Sequence, residues 1–320
     1  MVHSDPRVPG DVGGELSPTA RWSLVAGLVM ACFLVAGLAV SEAGDDRLSL
    51  PEAVALGALE GATEYLPVSS TAHLVVAQEL LGLRSTPASR DAADAYAVVV
   101  QVGAIAAVVG LYRRRIRTLT RGLVGRDLAG RHLLNCLVVA FAPAAVVGLV
   151  AGDLVQRHLF GPWPIVAAWI IGGAALISPR VRATRGATRL EELSLPAAAA
   201  IGAAQVLAMW PGTSRSLVTI IAALAVGLTL RAAVEFSFLL GLVTLTAATA
   251  YESVTDGQRI VETFGPTSAL IGIVVAFGAA WVSMSWMVGY LQDRSLAPFG
   301  WYRITAAALL ASLIVLTDLF

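Results

Sequence analysis

The stretch Ala58–Val76, "ALEGATEYLPVSSTAHLVV", sets two carboxylates, then a proline, three hydroxyls and a histidine, into an otherwise apolar run. Glu60 and Glu64 stand four apart, so on a helix both project from one face about one turn apart. Pro67 ends that helix, because the residue before a proline is pushed out of the helical region. Ser69 or Ser70 can then cap a second limb, whose start offers unpaired N–H groups and a partial positive charge, a seat for phosphate. Thr71 and His73 fall in the first turn of that limb, within reach of a bound anion. The stretch reads as a broken helical hairpin with its polar groups gathered at the break.

Its surroundings define the class. Of 320 residues, 57% are hydrophobic and 14% charged, whereas a soluble domain carries about 25% charged residues. Several runs approach the ~20 apolar residues that a bilayer helix needs. The chain is therefore expected to be an all-α integral membrane protein. Net charge is zero and every basic residue is arginine, so nothing indicates a nucleic-acid partner. Cys32 and Cys136 lie in separate apolar runs and offer neither a disulfide framework nor a Cys/His zinc pattern. No G-x-S-x-G elbow, Walker loop or H-E-x-x-H signature is present.

Residues 1–21, with prolines and glycines throughout, read as a disordered tail. Trp22–Val40 reads as an extra transmembrane helix or a signal peptide cleaved near Ala43, its length favouring the helix. Further spans are expected at 93–112, 132–151, 163–178, 232–251, 268–288 and 299–317. Segments 51–82 and 196–230 are each interrupted by a Pro/Ser motif and read as hairpins that enter and leave by one side. The loop "YRRRIRTLTRGLVGRDLAGR" holds seven arginines against one aspartate, and the linker 179–195 holds four more. Both belong in the cytoplasm by the positive-inside rule, which puts 85–94, 152–162, 252–266 and the C-terminus outside.

The halves 50–178 and 196–320 resemble each other. "LGALEGATEYLPVSST" faces "IGAAQVLAMWPGTSRS", and "VVAF" occurs at Val138–Phe141 and again at Val274–Phe277. One broken hairpin plus three spans per half gives an odd number of crossings, hence an inverted repeat whose breaks meet near the midplane. Polar groups facing a cavity there escape the cost of facing lipid.

The second break, "WPGTSRS", carries a cation in place of the carboxylates. Pro211 and Gly212 make a tight turn, Thr213 or Ser214 can cap the limb after it, and Arg215 is the one arginine between Arg189 and Arg231. Guanidinium suits a forked contact with phosphate. Glu60 and Glu64 could ligate a hard divalent cation such as Mg2+ or Ca2+, or one could serve as a general base. Together these residues describe a phosphoryl-transfer pocket within a membrane. Glu235 opens a span and reads as an interfacial acid, while Tyr302 and Arg303 in "APFGWYR" read as an interfacial anchor.

At "EGATEYLPVSSTAH", "QVGAIAAVV", "LAMWPGTSRS", "EFSFLL" and "PFGWYR" the sequence resembles the undecaprenyl-diphosphatase (bacitracin-resistance) family, over nearly the whole chain from about Leu50. The resemblance implies removal of the terminal phosphate of undecaprenyl diphosphate, which recycles the lipid carrier for peptidoglycan synthesis and confers bacitracin resistance. It also implies divalent-cation dependence, two re-entrant hairpins in an inverted repeat, a homodimer in the plasma membrane, and a site open to the outer face. The family's acidic pair falls on Glu60 and Glu64, its motif serine and histidine on Ser70 and His73, and its phosphate-binding arginine on Arg215. Ser69, Thr71, Gly212, Thr213, Ser214 and Ser216 join Arg215 as the expected substrate-binding set. Three departures stand out: Ala72 and Leu217 replace glycines, and "GLVTLTA" lacks a proline. Ser70, His73 or an activated water remain open as the nucleophile. The rival reading is a polyprenyl-phosphate flippase that binds the headgroup without hydrolysis.

Overall fold

A computed structural model describes residues 48–317, apart from 184, 185 and 293. The expected tail 1–21, the segment Trp22–Val40 and Cys32 lie outside the described residues. In chain order the helices are α1 (Leu50–Thr63), α2 (Ser70–Leu80), α3 (Pro87–Leu111), α4 (Arg113–Leu123), α5 (Leu128–Leu159) and α6 (Pro162–Ile177). There follow α7 (Pro179–Ala183), α8 (Leu195–Gln205), α9 (Arg215–Ala225), α10 (Leu230–Tyr290) and α11 (Ala297–Leu316). Among the described residues, five stretches are long and apolar enough to cross a bilayer: Ser89–Leu111, Leu128–Gly152, Leu230–Val254, Thr267–Tyr290 and Ala297–Leu316. The chain is thus an all-helical integral membrane protein. The sixth expected span is α6, whose 16 residues rise about 24 Å, short of a hydrocarbon core of about 30 Å.

Helix extends beyond the apolar runs. α3 starts at Pro87 rather than 93 because Thr86 and Ser89 form a capping box and proline suits the first turn. α5 continues to Leu159, and helical backbone crosses 252–266, where a loop was expected. Hydropathy locates the buried stretch of a helix, while caps locate its ends.

The 61-residue α10 nevertheless doubles back. Its Phe238 ring packs 5.2 Å from that of Tyr65, and its Ala276 abuts Gly61, only four residues earlier. A straight helix would hold Phe238 and Ala276 more than about 50 Å apart. The flank Thr267–Tyr290 follows the direction of α3, with Ser268 beside Tyr96 and Ile273 beside Gly103. The flank Leu230–Val254 opposes it, with Phe238 against Tyr112 and Glu235 against Arg115.

Close approach holds α10 against α1. A Cβ at Gly57 would collide with the backbone of Gly272, and one at Gly61 with that of Ala276. Within a bilayer such packing replaces the hydrophobic drive that water would supply. Gly61→Val should therefore destabilise the fold by about 1–3 kcal/mol, read as a lowered melting temperature in detergent. An unchanged melting temperature would mean that this contact is not close in solution.

Each interrupted segment has the same local form. Ser69 (φ 76°) and Ser214 (φ 71°) both hold left-handed backbone, rare for residues other than glycine. Each precedes an 11-residue helix, α2 or α9. A left-handed glycine, Gly82 or Gly227, then closes each helix. Gln78 Nε2 donates to Ala93 O at 2.8 Å and Tyr96 OH to Ala53 O at 3.1 Å, so both limbs of the first segment return to the start of α3. At the second segment, Thr229 N donates to Thr188 O at 3.0 Å and His132 meets Leu193 O at 2.8 Å. Those limbs return to the arginine-rich end.

Candidate active site

α1 carries Glu60 on its last turn and Glu64 as its C-cap, and Pro67 then breaks the chain before α2. Glu60, Glu64, Ser70 and His73 are all buried. The Ser70 hydroxyl donates to Glu64 Oε2. Across 151 positions of sequence, Arg215 Nη2 donates to Glu64 Oε1 at 2.9 Å. Arg215 Nη1 also donates to Ser237 O at 3.1 Å, and the guanidinium lies over the Tyr65 ring, 5.2 Å from its centroid. A side chain at Gly241 would displace that guanidinium. The two breaks therefore meet at one charged pair, with a serine hydroxyl on its carboxylate.

Glu60 stands beside this pair with both carboxylate oxygens buried and without a hydrogen-bond donor among the described residues. Two ionised carboxylates against one guanidinium would enclose a net negative charge, which is costly without a counter-charge. The orphaned oxygens fit a divalent cation, since hard cations take carboxylate ligands. Among the described residues, no cluster of three or more His, Cys, Asp or Glu side chains adds a further protein ligand.

The remaining expected site residues divide. Ser216 Oγ donates to Leu66 O at 2.8 Å, and Ser214 Oγ lies 3.1 Å from Ser216 Oγ while accepting from Leu217 N. Gly212 (φ 90°) makes the expected turn, and its carbonyl accepts from Arg303 at 2.8 Å. Thr213 N donates to Trp210 O at 3.0 Å, within that turn. These four build the second break and fasten it to the first. Thr71 is exposed at the start of α2. Of the two expected caps, Ser214 caps its helix, whereas Ser69 occupies the cap position with no side-chain cap. The Ser69 carbonyl accepts from the His73 imidazole at 2.6 Å and from the His73 backbone N–H at 3.4 Å.

Of the pair read as an interfacial anchor, Arg303 belongs to the centre instead, while Tyr302 is exposed and sends only its hydroxyl inward. Arg303 is fully buried and donates to Ala168 O at 2.9 Å, Gly212 O at 2.8 Å and Pro67 O at 3.4 Å. Gly172 leaves the space that its guanidinium fills. Tyr302 OH lies 2.6 Å from His73 Nε2. The rule that singled out Arg215, a lone arginine within an apolar run, applies equally to Arg303; its place near a helix start favoured the interfacial reading. Glu235, read as an interfacial acid, is half-buried and pairs with Arg115 of the arginine-rich α4 at 2.6 Å.

An all-helical membrane protein that encloses paired carboxylates, an arginine and a serine where two broken helices meet is a membrane protein with a polar site shielded from lipid. Guanidinium and helix starts are groups that can hold an anion. The chain belongs to the family described as bacitracin resistance protein BacA, whose model matches residues 53–309. A relative from Sorangium cellulosum (strain So ce56), named undecaprenyl-diphosphatase, is 44% identical over 263 residues, covering 81% of this chain and 84% of that one. Undecaprenyl-diphosphatase 2 of Rhodospirillum rubrum is 39% identical over 262 residues, covering 81% and 93%. An undecaprenyl-diphosphatase of Polaromonas naphthalenivorans is 37% identical over 264 residues, with 81% and 93% covered.

Proposed function

We propose that this chain hydrolyses undecaprenyl diphosphate to undecaprenyl phosphate and orthophosphate, recycling a lipid carrier in the bacterial cell membrane. The observation that carries the reading is Glu64, whose carboxylate receives both Arg215 and the Ser70 hydroxyl. The names of the relatives, aligned over most of the chain, supply the substrate.

The prenyl chain stays in lipid while the diphosphate reaches the junction of the breaks. Its terminal phosphate competes with Glu64 for Arg215 and takes up N–H groups at the starts of α2 and α9. Glu64, freed from that pairing, accepts the Ser70 proton as Ser70 Oγ bonds to the terminal phosphorus. The bond from phosphorus to the bridging oxygen breaks, and undecaprenyl phosphate leaves. Water then attacks the serine phosphate, and orthophosphate and free Ser70 result. Direct attack by a water held at Glu64 is the alternative, without a covalent intermediate. Positioning and charge stabilisation supply most of the catalysis in such transfers. Glu60 and Glu64 would hold a divalent cation, Mg2+ or Ca2+, which when bound neutralises charge developing on the phosphate oxygens.

The matched serines at φ 76° and 71° support an inverted repeat with two re-entrant hairpins. So do limbs that return to opposite ends of α3. The arginine-rich end faces the cytoplasm under the positive-inside rule, which turns the first hairpin toward the outer face.

Orthophosphate release from purified protein, across prenyl diphosphates of different length, tests the reading. Chelation should suppress release by about a hundredfold or more, and added divalent cation should restore it. A flippase would bind the same headgroup and release no orthophosphate.

A further inference from the structure

Four consecutive carbonyls of the first break are each taken by a side chain. Leu66 O accepts from Ser216 Oγ at 2.8 Å and Pro67 O from Arg303 at 3.4 Å. Val68 O accepts from Trp169 Nε1 at 3.1 Å, and Ser69 O meets His73 Nδ1 at 2.6 Å. Non-helical backbone at membrane depth persists only where its polar groups find such partners. His73 is the fourth member of this set.

The contact fixes the imidazole. A carbonyl only accepts, so Nδ1 carries the proton, and in a neutral ring Nε2 is then the acceptor. Nε2 meets the Tyr302 hydroxyl at 2.6 Å. Both nitrogens are engaged by groups outside the Glu64, Ser70 and Arg215 cluster. The ring also packs on Trp169 and Tyr302, with centroids 5.0 and 5.7 Å away. In this arrangement the Nε2 lone pair faces the Tyr302 hydroxyl rather than the Glu64, Ser70 and Arg215 cluster.

The second break has the same backbone bond without the imidazole: Ser214 O accepts from Val218 N at 3.2 Å, as Ser69 O does from His73 N at 3.4 Å. Ser214 shares the left-handed backbone of Ser69, but its own hydroxyl accepts from Leu217 N. Ser69 makes no such cap. Four residues after Ser214 stands Val218, where the first break has His73. Only at Ser69 does a side chain add a second donor to the carbonyl, the imidazole at 2.6 Å.

We propose that His73 is a positioning residue, which holds the Ser69 carbonyl and so aims the Ser70 hydroxyl at Glu64, and that Tyr302 sets its tautomer. This rests on the phosphatase reading above and narrows its nucleophile to Ser70 or water.

Asparagine places an amide N–H near the Nδ1 position, and glutamine near Nε2. His73→Asn should keep kcat within about tenfold of the parent at unchanged KM, while His73→Gln and His73→Ala lose about a hundredfold or more. Tyr302→Phe should lower kcat in the parent and add nothing in the His73→Asn background. Equal inactivity of all three His73 variants, each with parental melting temperature, would overturn the proposal. An acid-labile phosphohistidine trapped on the parent would overturn it too. The tautomer has a readout independent of activity. With only four histidines in the chain, nitrogen NMR of histidine-labelled protein can assign His73 by its loss in His73→Asn. Nδ1–H is expected, and Nε2–H would overturn the proposal. A parent that releases no orthophosphate would sink the phosphatase reading alone and leave this tautomer result to stand or fall by itself.

Discussion

Orthophosphate release by Glu64→Gln is expected to fall about a thousandfold, with KM changed far less. Glutamine matches glutamate in size and keeps an oxygen that can accept from Arg215, now 2.9 Å from the carboxylate. It has no basicity with which to take the Ser70 proton, and it weakens any cation held with Glu60. The effect should therefore fall on the chemical step rather than on binding. Arg215→Ala should lose activity to a similar extent by another route, since it removes the forked phosphate contact and leaves two buried carboxylates without a counter-charge. Steady-state release assays on detergent-purified protein, with melting temperatures alongside, separate these effects from unfolding. Variants as active as the parent would remove Glu64 and Arg215 from the reaction.

The second large effect concerns Arg303, which no substrate need touch. Its guanidinium bridges Pro67 in the first break, Gly212 in the second and Ala168 on α6. No carboxylate pairs with it among the described residues, so the three carbonyls are what holds the charge in place. Arg303→Met would strand those carbonyls in a low-dielectric interior, at about 1–3 kcal/mol each, and let the breaks separate. Expected results are a melting temperature lowered by several degrees and orthophosphate release near background. Arg303→Lys keeps the charge but not the planar fork, so it should restore part of the stability and little of the activity. A stable, active Arg303→Met variant would show that the breaks are held together by other contacts, such as Ser216 on Leu66.

Much of this was legible along the chain. The composition and the apolar runs specify a helical membrane protein. The i, i+4 spacing of Glu60 and Glu64, the break at Pro67 and the lone Arg215 are local signals, and each marks a residue that has a place at the centre. They are readable because helix periodicity, proline sterics and the cost of a charge in lipid act on residues close in sequence.

Facing is a different matter. Glu64 meets Arg215 because α9 and α1 are brought together by α10 and Arg303, across 151 positions of sequence. His73 turns to the Ser69 carbonyl and to Tyr302 rather than to Ser70. Thr71 is exposed, one residue from a buried serine. Tyr302 and Arg303 carry the sequence marks of an interfacial anchor, yet Tyr302 is exposed and Arg303 fully buried, because neighbouring helices rather than residue type decide which side chain turns inward. The amino-acid sequence determined which groups are available and where the helices break; tertiary packing alone decided which of those groups meet.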